Sequence, residues 1–264
     1  MKRLYAAISV IFVFVIGARP IVRFPHAEIT NGLIHARLYL PDNKEGYYRG
    51  SRFDWSAVMP ELKYKGHSYF GQWFETYSPT LHDAIMGPVE AFSPVGYGEA
   101  KVGDNFLIVG IGMVTKPEEP KYSFVTPYQI VNGGAWKVNK KSDEVEFVQK
   151  LSDKKYAYDY RKTVQLIKGK PQMILMHTLK NTGKQTIETD VYDHNFFVID
   201  KQPVGPDFVV KFPFNLINEA RQTEEANFGK IHNNEFYFLK IYRKMNTSFI
   251  HPLEDLVIVQ MIMI

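Results

Sequence analysis

In the stretch KYAYDYRK, residues 155–162, Tyr156, Tyr158 and Tyr160 fall on one side of an extended chain and Ala157, Asp159 and Arg161 on the other. That is the two-residue period of a β-strand. Nothing comparable at the 3.6-residue period of a helix runs for any length through the 264 residues. Strand-like runs recur instead: GLIHARLYLP, EVEFVQKL, YAYDYRKTVQLIKG, QMILMHTLKNTG, TIETDVYDHNFFVID, DFVVKFPFNL and NEFYFLKIYRK. Turn formers such as KGKP and NTGK separate them. NFLIVGIGMV is nearly continuous apolar, as in a strand buried on both faces. Many short strands joined by turns predict an all-β sandwich or barrel. No repeat, low-complexity tract or linker divides the chain, so one domain is expected.

The charge balance narrows function. With 32 Lys and Arg against 28 Asp and Glu, and no basic stripe, nucleic acid is not an expected partner. VGIGMVT lacks the third glycine of a dinucleotide loop, and P-loop and G-x-S-x-G signatures are absent, so no nucleotide is expected either. There is no cysteine, which removes disulfides, thiolate metal sites and a Cys nucleophile. Lys2 and Arg3 followed by the apolar run Leu4–Ile16 and the small residues Gly17 and Ala18 read as a signal peptide over residues 1–18. The mature domain is then 19–264, periplasmic or secreted, touching a membrane only through that segment before cleavage.

Polar residues set among aromatics are the candidates for chemistry. In YRGSRFDW, Arg52 and Asp54 can hydrogen-bond sugar hydroxyls while Trp55, or Trp73 further on, stacks on a sugar face; a structural Arg–Asp pair explains them equally well. His82 and Asp83 occupy the loop PTLHDAIMGP. In VYDHNFFVID, alternation puts Tyr192, His194 and Phe196 on one face and Val191, Asp193 and Phe197 on the other. His194 is then either a core histidine or a general acid. A metal site from His82, Asp83, Asp193 and His194 is disfavoured, because neighbours within one strand point to opposite faces.

LHDAIMGPVEAF, VYDHNFFVID, YRGSRFDW and the strand–turn–strand stretch KTVQLIKGKPQMILMHTLKNTGKQTIETDVYDHNFF resemble, in order and spacing, the corresponding segments of the galactose mutarotases, or aldose 1-epimerases. The resemblance covers most of residues 30–215. It implies a large antiparallel β-sandwich of the mutarotase-like (supersandwich) type, with a sugar cleft on one sheet and neither metal nor cofactor. It implies His194 as the acid that protonates the ring oxygen, His82 and Arg52 as sugar-binding residues, and a late glutamate as general base. Asp83-Ala84 stand where that family has Gly-Gly, and Asp193 where it has Asn. Asn195-Phe196 replace Thr-Tyr, and Ser51-Arg52 replace Asn-Arg, with Asp54 added. These departures leave room for an oligosaccharide or an acidic glycan in place of free galactose.

The end of the chain, SFIHPLEDLVIVQMIMI, does not match the family's base-bearing segment, and Glu254 is the only Glu in it. Codons able to encode its last ten residues, DLVIVQMIMI, read with one extra base in front, also encode the polar loop GFGNSADDYD. The expectation is that residues 255–264 are a frameshifted tail and that the base lies in the lost frame. The alternatives are a native apolar last strand and a sandwich that binds carbohydrate without turnover.

Overall fold

The computed structural model describes residues 24–216 and 229–241, together with the backbone of 257–263. The expected signal peptide and Glu254 lie outside the described residues, as do residues 255, 256 and 264 of the expected frameshifted tail. The described chain is all-β; its one helical turn is a 3-10 turn at Ile199–Lys201.

Strands β1 (His26–Thr30), β2 (Ile34–Tyr39), β3 (Val58–Tyr64) and β4 (His67–Ser68) form an antiparallel meander. Strands β9 (Ala135–Lys140), β10 (Glu144–Ser152), β11 (Ala157–Leu166) and β12 (Gln172–Asn181) form a second. Both carry the expected alternation. In β2, Ile34, Ala36 and Leu38 are fully buried, and in β11 Tyr158 and Tyr160 are. Ile29, Ile34 and Leu38 of the first sheet share one apolar cluster with Val145, Phe147, Val164 and Met173 of the second. Each such side chain contributes about 1.5–3 kcal/mol when fully buried, so this shared layer holds the two sheets together. Strand β17 (Val257–Met263) adds to the edge of the second sheet parallel to β12, the one parallel pairing among the described residues.

Strand β5 (Gly87–Phe92) pairs antiparallel with β13 (Val191–Phe196), bringing residues a hundred positions apart into register: Val89 faces His194 and Glu90 faces Asp193. Strands β14 (Val209–Lys211), β15 (Gly229–His232) and β16 (Glu235–Phe238) make a small separate sheet. Another small sheet is built from β6 (Asn105–Ile108), β7 (Gly112–Thr115) and β8 (Ile130–Asn132).

The run NFLIVGIGMV is therefore a hairpin, β6 to β7, and not the single doubly buried strand its apolar continuity suggests. Gly110 (φ +79°) and Gly112 (φ +134°) take backbone angles that L side chains rarely adopt, which lets the chain reverse inside an apolar run. The turn is also crowded. A Cβ on Gly112 would overlap the Asn132 carbonyl, and one on Gly110 would lie 2.9 Å from the Asp54 side chain. Gly32 (φ +87°) has open space around its missing Cβ. Gly112→Ala is expected to cost at least about 2 kcal/mol by strain and overpacking together, against about 1 kcal/mol for Gly32→Ala, where strain acts alone. Urea denaturation of the two variants measures the difference; equal losses would remove the steric part of the argument.

Candidate functional site

Two loops meet around Arg52. Tyr48, almost fully buried, donates a hydrogen bond from its hydroxyl to the His82 carbonyl (3.0 Å) and accepts one from the Phe53 amide (3.4 Å). It thus ties the segment after β2 to the segment before β5. Ser51 does the same for a third loop: its hydroxyl donates to the Thr126 carbonyl (3.1 Å) and accepts from the Tyr128 amide (3.0 Å). That bond carries Phe124 to the site.

The result is a compact charged centre. Arg52 donates from Nη1 to Asp83 Oδ1, and His82 Nε2 lies 3.2 Å from Asp83 Oδ2, so one carboxylate bridges the cation and the imidazole. The guanidinium carbon stands 4.5 Å from the Phe53 ring centroid and 4.3 Å from that of Phe124. Two aromatic rings therefore crowd the guanidinium.

His194 reaches the same centre from β13. Its ring stacks on Phe196 (3.7 Å between centroids), meets Tyr192 edge-on (5.6 Å) and lies edge-on to Phe53 (6.1 Å). This is the face that alternation predicts. Phe196 is stacked in turn on Trp73 (4.9 Å). Burial, and after it the Arg52 charge, hold the imidazole below its ordinary 6.5, while Asp83 pulls weakly the other way. Its Nδ1 is buried and has no hydrogen-bond partner among the described residues. Phe124 and Tyr192 are about half exposed, at 51% and 55%, and rim the centre. Beyond Phe196 lies a cleft of about 1000 Å³ lined by Asn195, Trp73, Gln72, Tyr47 and Tyr77.

Arg52, His82 and His194 are thus brought together; Asp54 and Trp55 are not. Trp55 is buried at 4%, with its indole N–H bonded to the Gly50 carbonyl (2.8 Å), so its ring is core. The half-buried Trp73 gives its N–H to the Ile85 carbonyl (2.9 Å). Asp54 points inward. Its carboxylate accepts from the Ser56 amide (2.9 Å) and hydroxyl (2.6 Å) and from the Tyr160 hydroxyl (2.8 Å). Burial pushes its carboxyl up, Glu90 adds to that, and Lys162 opposes it.

Asp54 belongs to a fully buried polar cluster made by strand register. Lys162 and His177 are direct cross-strand partners on β11 and β12. The Lys162 ammonium sits 2.5 Å from Glu90 Oε2, both side chains at 0% exposure. His177 Nε2 is 3.2 Å from Glu90 Oε1, and its Nδ1 is 3.0 Å from the Tyr160 hydroxyl. Burial by itself raises the Glu90 carboxyl; Lys162 and His177 outweigh it, and the carboxyl lies below its ordinary range. Asp193 opens onto this cluster rather than onto the His194 side, so the four residues weighed as a metal site do not converge. Among the described residues no three His, Asp or Glu side chains are grouped so as to hold a metal ion.

Phe53 and Phe124 are site residues that sequence reasoning did not single out; Asp83 was noted beside His82 and Tyr192 on the His194 face, but neither was given a role in binding sugar. Phe124 carried one signal, an exposed aromatic in the polar loop KPEEPKYSFVTP. No family model, no curated protein and no solved structure matches this chain.

Lys162→Met leaves Glu90 buried without its cation and is expected to cost about 3–5 kcal/mol, whereas Lys162→Met with Glu90→Gln costs clearly less. Chemical denaturation of the single and double variants measures the coupling; additive losses would mean that the two groups do not act as a pair.

Proposed function

We propose that this chain is a carbohydrate-active protein with a mutarotase-like β-sandwich, interconverting sugar anomers as an aldose 1-epimerase does. The observation that carries the reading is the convergence of Arg52, His82 and His194. They come from three separate segments, and the sequence resemblance names the same three as acid and sugar-binding residues. Opening a cyclic hemiacetal requires a proton to leave the anomeric hydroxyl while another reaches the ring oxygen; the bond between anomeric carbon and ring oxygen then breaks. The exposed aldehyde end rotates, and the ring closes on its other face. In this reading His194 supplies the proton to the ring oxygen, and Arg52 and His82 hold hydroxyls. Phe124 and Tyr192 offer exposed ring surface to the sugar's C–H faces, the usual way aromatic side chains take up an amphipathic ring. The neighbouring cleft has room for further sugar units.

A second reading, a carbohydrate-binding module without turnover, is favoured by one fact. The carboxylate that touches Arg52 and His82 is Asp83, and both of its oxygens are already engaged. No other described carboxylate is bonded to the three site residues. Export through residues 1–18 belongs to the same proposal.

Polarimetry with α-galactose and α-glucose separates the readings. His194→Gln is expected to slow mutarotation by about 10²–10⁴-fold, the usual worth of one positioned proton transfer, while saturation-transfer NMR still detects the bound sugar. An unchanged rate sinks the acid assignment; sugar binding with no turnover by the parent protein leaves the binding module. If imidazolium is the acid, a depressed pKa places its protonated form below 6.5, so the rate should rise as pH falls from neutrality toward that range. Removing the Arg52 charge relieves one cause of the depression, so Arg52→Gln should move that limb to higher pH. A limb that stays in place in this variant would mean another group sets it.

A further inference from the structure

An arginine flanked by two histidines reads, by residue type, as a receptor for an anionic sugar: a uronate, a sulfated sugar or a sugar phosphate. The geometry points to the opposite: we infer that Asp83 makes this a site for neutral sugars and excludes anionic ones. The inference rests on the carbohydrate reading above and assigns its specificity to one residue.

Asp83 is bound to Arg52 through one oxygen and lies against His82 with the other, so the cation is already neutralised inside the site. An incoming carboxylate has two options. It can displace Asp83 from Arg52, which leaves Asp83 charged, a third exposed and stripped of its strongest partner. Or it can bind beside the pair and meet Asp83 as a like charge. Phe53 and Phe124, with ring centroids 4.5 and 4.3 Å from the guanidinium carbon, crowd other approaches to the cation.

A hydroxyl group fits the same pair without displacing anything. It both donates and accepts. One hydroxyl of a sugar can donate to a lone pair that Asp83 has left, and its neighbour can accept from the N–H groups of Arg52 that Asp83 does not use. An Arg–Asp pair set side by side is thus matched to adjacent hydroxyls. His194 adds no positive charge to offset Asp83 at neutral pH, because burial and Arg52 keep it deprotonated there.

The test is binding at pH 7.5 of four free sugars, galactose, glucose, galacturonate and glucuronate, by saturation-transfer NMR, to the parent chain and to Asp83→Asn. The parent is expected to bind the neutral sugars at least about tenfold more tightly than the matching uronates. Asp83→Asn, which frees the Arg52 charge, is expected to shrink or reverse that ratio. A parent chain that prefers the uronates, or an Asp83→Asn ratio equal to the parent's, overturns the assignment. If the parent binds neither series, the carbohydrate reading itself fails and this inference falls with it. The parent comparison stands by itself if Asp83→Asn does not fold, a point its thermal unfolding curve decides.

Discussion

The Lys162–Glu90 pair, with both charges removed from water, is the constraint on which the rest of this structure depends. Two buried ions tolerate each other only in close contact and with their remaining bonding capacity met. Meeting that demand fixes four elements at once: Glu90 on β5, Lys162 on β11, His177 on β12, and the 53–56 turn that supplies the Ser56 carbonyl and Asp54. The Asp54 amide donates to the Glu90 carbonyl (2.8 Å), so backbone and side chain make the same connection. Moving any one of these elements would leave a desolvated charge without its partner. The cluster therefore works as a specification of geometry more than as a source of net stability.

The candidate site inherits its precision from that cluster through three residues. Asp54 turns inward to Ser56 and Tyr160; Phe53 lies between; Arg52 turns outward to Asp83. The chain bends over residues 51–53, so Asp54 is anchored in the core while Arg52, two positions earlier, reaches out to Asp83 instead of sharing its side as strand alternation would require. Phe53 then becomes the wall that both Arg52 and His194 touch. A surface arginine held only by an exposed ion pair would lose much of its gain to side-chain entropy and solvent. Here two neighbouring aromatic rings and a buried anchor two residues away restrict it beforehand.

What was legible in the sequence was the part governed by period. The tyrosine face of β11, the inward residues of β2 and the Tyr192–His194–Phe196 face all follow from alternation, and so does the all-β class. Three things were not legible, each for its own reason. Apolar continuity in NFLIVGIGMV masked a reversal, because hydropathy does not register the two glycines at positive φ. Lys162 extends the buried tyrosine face by one more step, which a reading of its charge alone assigns to solvent. Asp54 and Arg52, two positions apart, appeared as partners in one site. Their actual partners, Tyr160 and Asp83, are 106 and 31 residues away, and only the folded chain brings such pairs together. Asp83 itself was visible as a departure from the mutarotase pattern, but its role depends on a contact that no local spacing encodes.

On the proposed carbohydrate reading, the chemistry of the centre also bears on which sugar reaction it would suit. Hydrolysis of a glycosidic bond uses two carboxyl groups flanking the bond, about 5–10 Å apart, one as acid and one as nucleophile or base. The described centre has one carboxylate in contact with Arg52 and His82, and that carboxylate is held by both. What it has instead is an imidazole in a half-buried aromatic stack, beside a cation that favours its neutral form. Burial and the Arg52 charge favour the neutral imidazole, so a proton it takes up is readily given away again, which suits a reversible step such as the opening and reclosing of a hemiacetal. Expelling an alcohol from a full acetal demands stronger protonation of the leaving oxygen and an anion to meet the developing positive charge. On the proposed carbohydrate reading, the stack of His194 on Phe196 on Trp73 suits anomer interconversion better than glycoside cleavage, through the polarity of the surroundings rather than through the identity of the histidine.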